Sequence, residues 1–380
     1  MKPIRILPSL ALSGLLFSLL AADARAGDLD PPAGPVAPTM KTLDEVEART
    51  PMSDVPGGAT FEHLITEPGS YYLTGDIVVT LPISGIVVDA DDVTIDLNGF
   101  TLVGQGGFTD GVRVINDRRN ITIRNGSIRG FGSGVWAFNA GDVYAHGLRL
   151  HNMGGAGLFL YGKGSRIVDC HASDCGGVGL VVSESGLVRD SVSRNNNSTG
   201  IGIGAGSVIE NSVAIDNGGI GVESFGPATA NNVVAKGNGG VGISLGTGST
   251  VLGCSATNNA QGGIRVVGGS IVRNCTAFNN GEFGISAVTD CLIEDNASTN
   301  NDRSGGGIGI HLVGVRNLVR ANMVTFNGVG FKTDQSGNVL LGNVANSNTD
   351  NYGQAFGTIG PIIGHSDIAT NCNPDANRSF

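Results

Sequence analysis

Gly200-Ile201-Gly202-Ile203, Gly221-Val222-Glu223-Ser224, Gly242-Ile243-Ser244-Leu245 and Gly263-Ile264-Arg265-Val266 open four consecutive 21-residue units that run to Phe283. Each unit passes through a short apolar segment into an Asn-rich corner. A fixed period of this size marks a solenoid, in which each repeat buries its apolar face against the next. In both directions from this stretch the same pattern returns, and units begin at Gly85, Gly111, Gly134, Gly157, Gly179, Gly200, Gly221, Gly242, Gly263, Gly284, Gly309 and Gly330. The spacing is longer toward both ends, which predicts longer loops there.

Within a unit the second and fourth residues are apolar, as in Ile201/Ile203 and Ile264/Val266, with variable residues between them. That alternation is a strand with one buried face. A second alternation ends in small residues (Ser212/Ala214, Val233/Ala235, Cys254/Ala256, Cys275/Ala277) and follows Asn211, Asn232 or Asn274 where Asn is present. Each turn closes on Asn217, Asn238, Asn259 or Asn280. Asn and Gly accept the left-handed conformation of a sharp corner, and stacked Asn amides can bond from turn to turn. Strands and corners that stack on their own kind predict an all-β parallel β-helix of about twelve turns. Leucine-rich repeats share the period, but Val, Ile and Gly stand where their Leu pattern belongs, and a hexapeptide coil prefers about 18 residues per turn.

Composition agrees with a thin repetitive core, for only 5% of the 380 residues are aromatic and 62 are Gly. Residues 1–26 read as a secretion signal, with Lys2 and Arg5, an apolar run from Ile6 to Ala22, and Ala24-Arg25-Ala26 before the cleavage point. An exported chain, periplasmic or extracellular, with no membrane span is expected. Residues 27–40 form a Pro-rich linker. Residues 41–84 are expected to cap the coil: Thr42-Leu43-Asp44-Glu45 has the spacing of a helix capping box, and strands around Tyr71-Tyr72-Leu73 and Ile77-Val78-Val79 would complete the plug. The coil proper is expected over 85–351, with a C-terminal cap and tail over 352–380. Of 23 basic and 33 acidic residues, three basic and one acidic lie in residues 1–26, leaving a net charge of -12 that excludes nucleic acid as the main partner. The six Cys follow the repeat; Cys170, Cys254 and Cys275 share one inward column and read as buried free thiols.

The Gly-Ile units, together with Ile95-Asp96-Leu97-Asn98-Gly99-Phe100-Thr101-Leu102 and the lead-in Pro68-Gly69-Ser70-Tyr71-Tyr72-Leu73-Thr74-Gly75, resemble the right-handed parallel β-helix repeat proteins of the pectate-lyase-like superfamily, including the NosD-like group. The resemblance covers about residues 65–350 and implies the fold. It implies no single activity, because that fold hosts lyases, hydrolases, epimerases and adhesins. Ala145-His146-Gly147 matches only part of the Gly-His-Gly element of polygalacturonase-like hydrolases, and the Asp-Pro-His-Glu of alginate-epimerase-like proteins is absent.

Stacking turns roughly 4.8 Å apart makes columns readable. The outward positions of the first strand hold Arg113 and Ile115, then Trp136 and Phe138, then Phe159 and Tyr161, then Val181 and Ser183. Four aromatic rings on two turns predict an exposed platform for sugar rings. Residues 111–170 hold eight basic and three acidic residues, so Arg113, Lys163 and Arg166 near the platform point to an acidic polysaccharide. The corner column reads Asn98, Asn125, His146, Asp169, Asp190, Asn211 and onward, to within one residue in the early turns. His146 and Asp169, with Asp190 below, are the candidate acid/base groups; His151 with Asp174 forms a similar pair, and His171 lies nearby. No recognised metal-ligand motif is present; Asp89, Asp91, Asp92 and Asp96 are an acidic group with some character of a Ca²⁺ site. Together these readings predict an exported protein that binds, and in the enzymatic case cleaves or epimerises, an acidic polysaccharide. The alternative is a non-catalytic structural or adhesive β-helix protein, for which the regular units after Gly179 speak.

Overall fold

The computed structural model describes residues 49–301, 306–353, 357–363 and 375–379. Each regular turn contributes three short strands. In the turn that starts at Gly200 these are Ile201–Ile203, Ser207–Glu210 and Val213–Ile215, and each pairs in parallel with its counterpart one turn on, as in Ile201 with Val222, Ser207 with Ala228 and Val213 with Val234. The first strands of the turns make a thirteen-stranded parallel sheet. The second and third strands wrap two further faces and count as one long sheet, because Arg119–Arg129 and Gly141–His151 run unbroken through the corner between them. All twelve expected units are present, and Phe61–Ile65 adds a strand before Ser84–Val88. The fold is therefore the all-β parallel β-helix that the repeat predicts.

The core is the stack of inward residues, and its buried members are mainly Val, Ile, Leu and Ala. Corners turn on single left-handed residues: Asn211, Asn232 and Asn274 at one corner, and Asp216, Asn258 and Asn279 at the next, all with φ between 49° and 58°. The closing Asn residues stand one position later and point inward. There Asn217 Nδ2 donates to Asn238 Oδ1 at 3.0 Å, Asn238 to Asn259 at 2.9 Å, Asn259 to Asn280 at 3.0 Å and Asn280 to Asn301 at 2.8 Å. The same side-chain oxygens also accept the backbone N–H of the preceding Asn, as Asn238 does from Asn217. This ladder satisfies backbone groups that the corner removes from the sheets.

The expected capping helix falls on residues outside those described, as do the signal and linker segments. Strands expected to plug the end belong to the coil instead: Gly69–Tyr72 pairs with Val93–Asp96, and Ile77–Val78 with Thr101–Val103. Beyond Asp350, Gly357–Ile359 and Asn377–Ser379 extend the long sheet. Cys170, Cys175, Cys254, Cys275 and Cys291 are free and buried. Burial pushes the Cys170 thiol up to about 12 and that of Cys175 to about 11, so both are inert fillers at neutral pH. No helix among the described residues is long and apolar enough to cross a membrane.

Candidate functional site

The outward column of the thirteen-stranded sheet runs Arg113, Trp136, Phe159, Val181, Gly202, Glu223, in the order the columns predict. Trp136 and Phe159 stack with centroids 4.3 Å apart and planes 9° from parallel, and beside them Phe138 stacks on Tyr161 at 5.5 Å. Because the rings stack along the ladder, their faces are turned on each other and mainly their edges meet solvent. The arrangement is a ladder, not a flat platform. Free faces remain only at its two ends.

Beyond one of those ends the surface drops into a groove of about 470 Å³. Tyr161 and Val181 stand on one side, Glu223 and Phe225 on the other, and Gly202 and Gly204 contribute to the lining without side chains. Tyr161 and Phe225 are three turns apart, roughly 14 Å at the strand spacing. Tyr161 is 50% exposed and Phe225 90% exposed, well above what a packed ring shows. Glu184 also lines the groove and pairs with Lys163 Nζ at 2.8 Å, a bond that holds the Lys163 amine above its usual range. Thr199 Oγ1 donates to Glu223 at 3.2 Å.

The acid/base candidates lie elsewhere. His146 sits on Gly141–His151 in the long sheet, paired with Arg124 and Val168, so it belongs to a strand column and not to the corner. Gly147 takes the left-handed corner position at φ 61°, above Asp169 at 50° and Asp190 at 50°. His146 and Asp169 do line one cleft of about 610 Å³, with Asp96, Arg124, Asn125 and Arg149. No hydrogen bond joins them, and none of the four rings lines that cleft. Asp190 lies outside its lining and meets Arg189 at 3.4 Å. The composite site expected from shared turns is thus corrected: the rings and His146 occupy the same turns but different faces.

The basic residues are dispersed in the same way. Arg113 flanks Trp136 and reaches Asp110 at 3.8 Å, whereas Arg166 follows Tyr144 on the long sheet. Arg124 is committed to buried Asp96, at 3.1 Å. His151 pairs with Ser173, one residue short of Asp174. His171 packs beside Arg149 and Val192; burial, then Arg194 and Arg149, press its imidazole below the usual range. The acidic group of the first unit is engaged internally. Asp89 accepts from Arg118 and Asn116, Asp91 from the Arg119 N–H, and Asp92 from Asn120.

Glu184, Glu223, Phe225 and the glycines of the groove escape a reading of single turns, because each looks ordinary alone. The available signal was the second outward column, in which Tyr161, Ser183, Gly204 and Phe225 alternate ring, small, small, ring.

Comparison with known proteins places this geometry in context. The family model described as "Right handed beta helix region" matches residues 83–225 and 207–350. Among solved structures, the A-module of the Azotobacter vinelandii mannuronan C-5 epimerase AlgE6 is similar with a TM-score of 0.55 at 17% identity, covering 82% of this chain and 91% of that one. The AlgE4 A-module from the same organism gives 0.51 at 17% identity, covering 77% and 91%. At that identity the likeness is one of fold. No curated protein sequence matches the chain.

Proposed function

The chain belongs to the right handed beta helix region family, and from that premise we propose that it is an exported polysaccharide-binding protein whose ligand lies along the outward face of the thirteen-stranded sheet. One observation carries the reading: a groove lined by the side-chain-free positions Gly202 and Gly204, with exposed rings of Tyr161 and Phe225 at its sides. An aromatic face at a groove wall is the usual partner of the apolar C–H face of a sugar, and carboxylates such as Glu184 and Glu223 accept from sugar hydroxyls. The name of two solved modules of the same fold, mannuronan C-5 epimerase, is in keeping with a carbohydrate ligand. The acidic character of the polysaccharide is supported by Arg113, Arg265 and Lys332, which stand in one outward column of this sheet. Export is supported by the pattern of residues 1–26. His146, Asp169 and Asp190 receive no catalytic role in this reading.

A panel of acidic and neutral polysaccharides tested by affinity electrophoresis and titration calorimetry examines it. Binding to at least one acidic polymer is expected, weakening with added salt. Tyr161→Ala and Phe225→Ala should each weaken it by about 10-fold, the loss of about 1.4 kcal/mol. Equal binding by both variants would overturn the assignment.

A further inference from the structure

Farther along the thirteen-stranded sheet, Arg265, Ser286, His311 and Lys332 occupy one outward position on four successive turns, each the Cα partner of the next. Asp334 follows Lys332 at the next outward position. His311 Nε2 and Asp334 Oδ2 are 2.8 Å apart, and Lys332 Nζ stands 3.4 Å from the other carboxylate oxygen. Cα partners in a parallel ladder lie roughly 4.8 Å apart, so Ser286 stands one turn from His311 on the side away from the turn of Asp334, within side-chain reach though no hydrogen bond joins the two. With Nε2 engaged by the carboxylate, Nδ1 is the ring nitrogen left for another partner. Burial pushes the Asp334 carboxyl up, but His311 and Lys332 outweigh it and hold the group below the usual carboxylate range. A carboxylate that stays charged orients imidazole and stabilises the imidazolium. The order along the coil is then cation, hydroxyl, imidazole, carboxylate.

We propose that Ser286, His311 and Asp334 form an acyl-transfer centre that hydrolyses carboxylic esters, with small O-acyl groups on a sugar chain as the substrate class. Ser286 Oγ attacks the ester carbonyl while His311 takes its proton. The carbon–oxygen bond to the sugar breaks, and His311 returns the proton to the departing sugar oxygen. Water then attacks the acyl-serine, gives its proton through His311 to Ser286 Oγ, and releases the carboxylic acid. Arg265, one turn from Ser286, is the cation placed to meet the oxyanion. Ser286 is nearly covered, which favours an acyl group of a few atoms. The sugar part of the substrate rests on the proposed function; the ester chemistry does not.

Purified full chain is incubated with a fluorophosphonate and, separately, with p-nitrophenyl acetate and an acetylated polysaccharide. The expected results are a mass adduct on Ser286, ester turnover, and loss of both by at least about 100-fold in Ser286→Ala and His311→Ala of unchanged circular dichroism. Asp334 is a positioning residue. Asp334→Asn should lower kcat on the small ester by about 10-fold with KM little changed. Turnover of the small ester without glycan binding supports the centre and counts against the proposed function alone. Absence of adduct and turnover in a folded protein that binds glycan overturns the centre and leaves the proposed function standing.

Discussion

At Gly242 an added Cβ would lie 2.5 Å from Asn259 Nδ2 and 2.8 Å from the Gly263 carbonyl oxygen. Neither neighbour can give way, since the amide is tied into the buried ladder and the carbonyl belongs to the equivalent glycine of the next turn. The glycine that marks every unit is therefore fixed by its contact with the turn below. Gly242→Ala should destabilise the protein by about 1–3 kcal/mol in urea unfolding. Gly202 is the contrast. Its added Cβ would meet Val181 at an ordinary 3.6 Å, so Gly202→Ala should stay within about 0.5 kcal/mol of the parent while narrowing the groove. Asn238→Ala leaves the buried Asn217 N–H without its acceptor and takes a second donor from the Ala214 carbonyl, and should cost about 1–3 kcal/mol.

Strands reveal a second kind of contact, made between turns by charged side chains. Glu294 bridges Arg273 and Arg320, the latter at 2.5 Å, on three neighbouring strands of the long sheet. Burial raises its carboxyl, yet the bonds to Arg273 and Arg320 prevail and hold it below the usual range. A folded-state value below the unfolded one means stability present at neutral pH and lost as pH falls through the depressed value. Glu294→Gln should therefore flatten the stability curve on the acid side of the ordinary glutamate range, read by thermal unfolding at each pH. The strands, the inward Asn stack and the neighbours Trp136 and Phe159 could all be read from the repeat, because a period of 21 places like residues over like. Two things could not. The spacing does not say that Gly147 and not His146 takes the left-handed corner within Gly141–His151, which leaves His146 on a face. Nor does it say which way stacked rings turn, and so a platform was expected where a ladder stands. The His311 pair was hidden because its carboxylate comes from the following turn, two residues beyond the partner of His311 and just past the end of Val329–Thr333.

The coil as a whole behaves as a one-dimensional stack, with each turn bound mainly to its neighbours. Removing one whole unit, Gly242–Gly262, sets Gly263 after Val241 and brings Asn238 over Asn280, so every column stays in register. The shortened protein should fold and unfold cooperatively at a modestly lower temperature, whereas deletion of Gly242–Val251 alone should not yield a folded protein. Circular dichroism melting of the two distinguishes them. The same continuity lets one sheet face carry a ligand over many turns, from Arg113 past the groove to Lys332. Hydrogen–deuterium exchange of the full chain with and without a bound acidic polysaccharide tests that central claim most directly. Added protection confined to the thirteen-stranded sheet, strongest in Leu158–Leu160, Leu180–Val182, Ile201–Ile203 and Val222–Glu223, is the predicted result. Protection centred on Gly141–His151 and the cleft of His146, with that sheet unchanged, would contradict it.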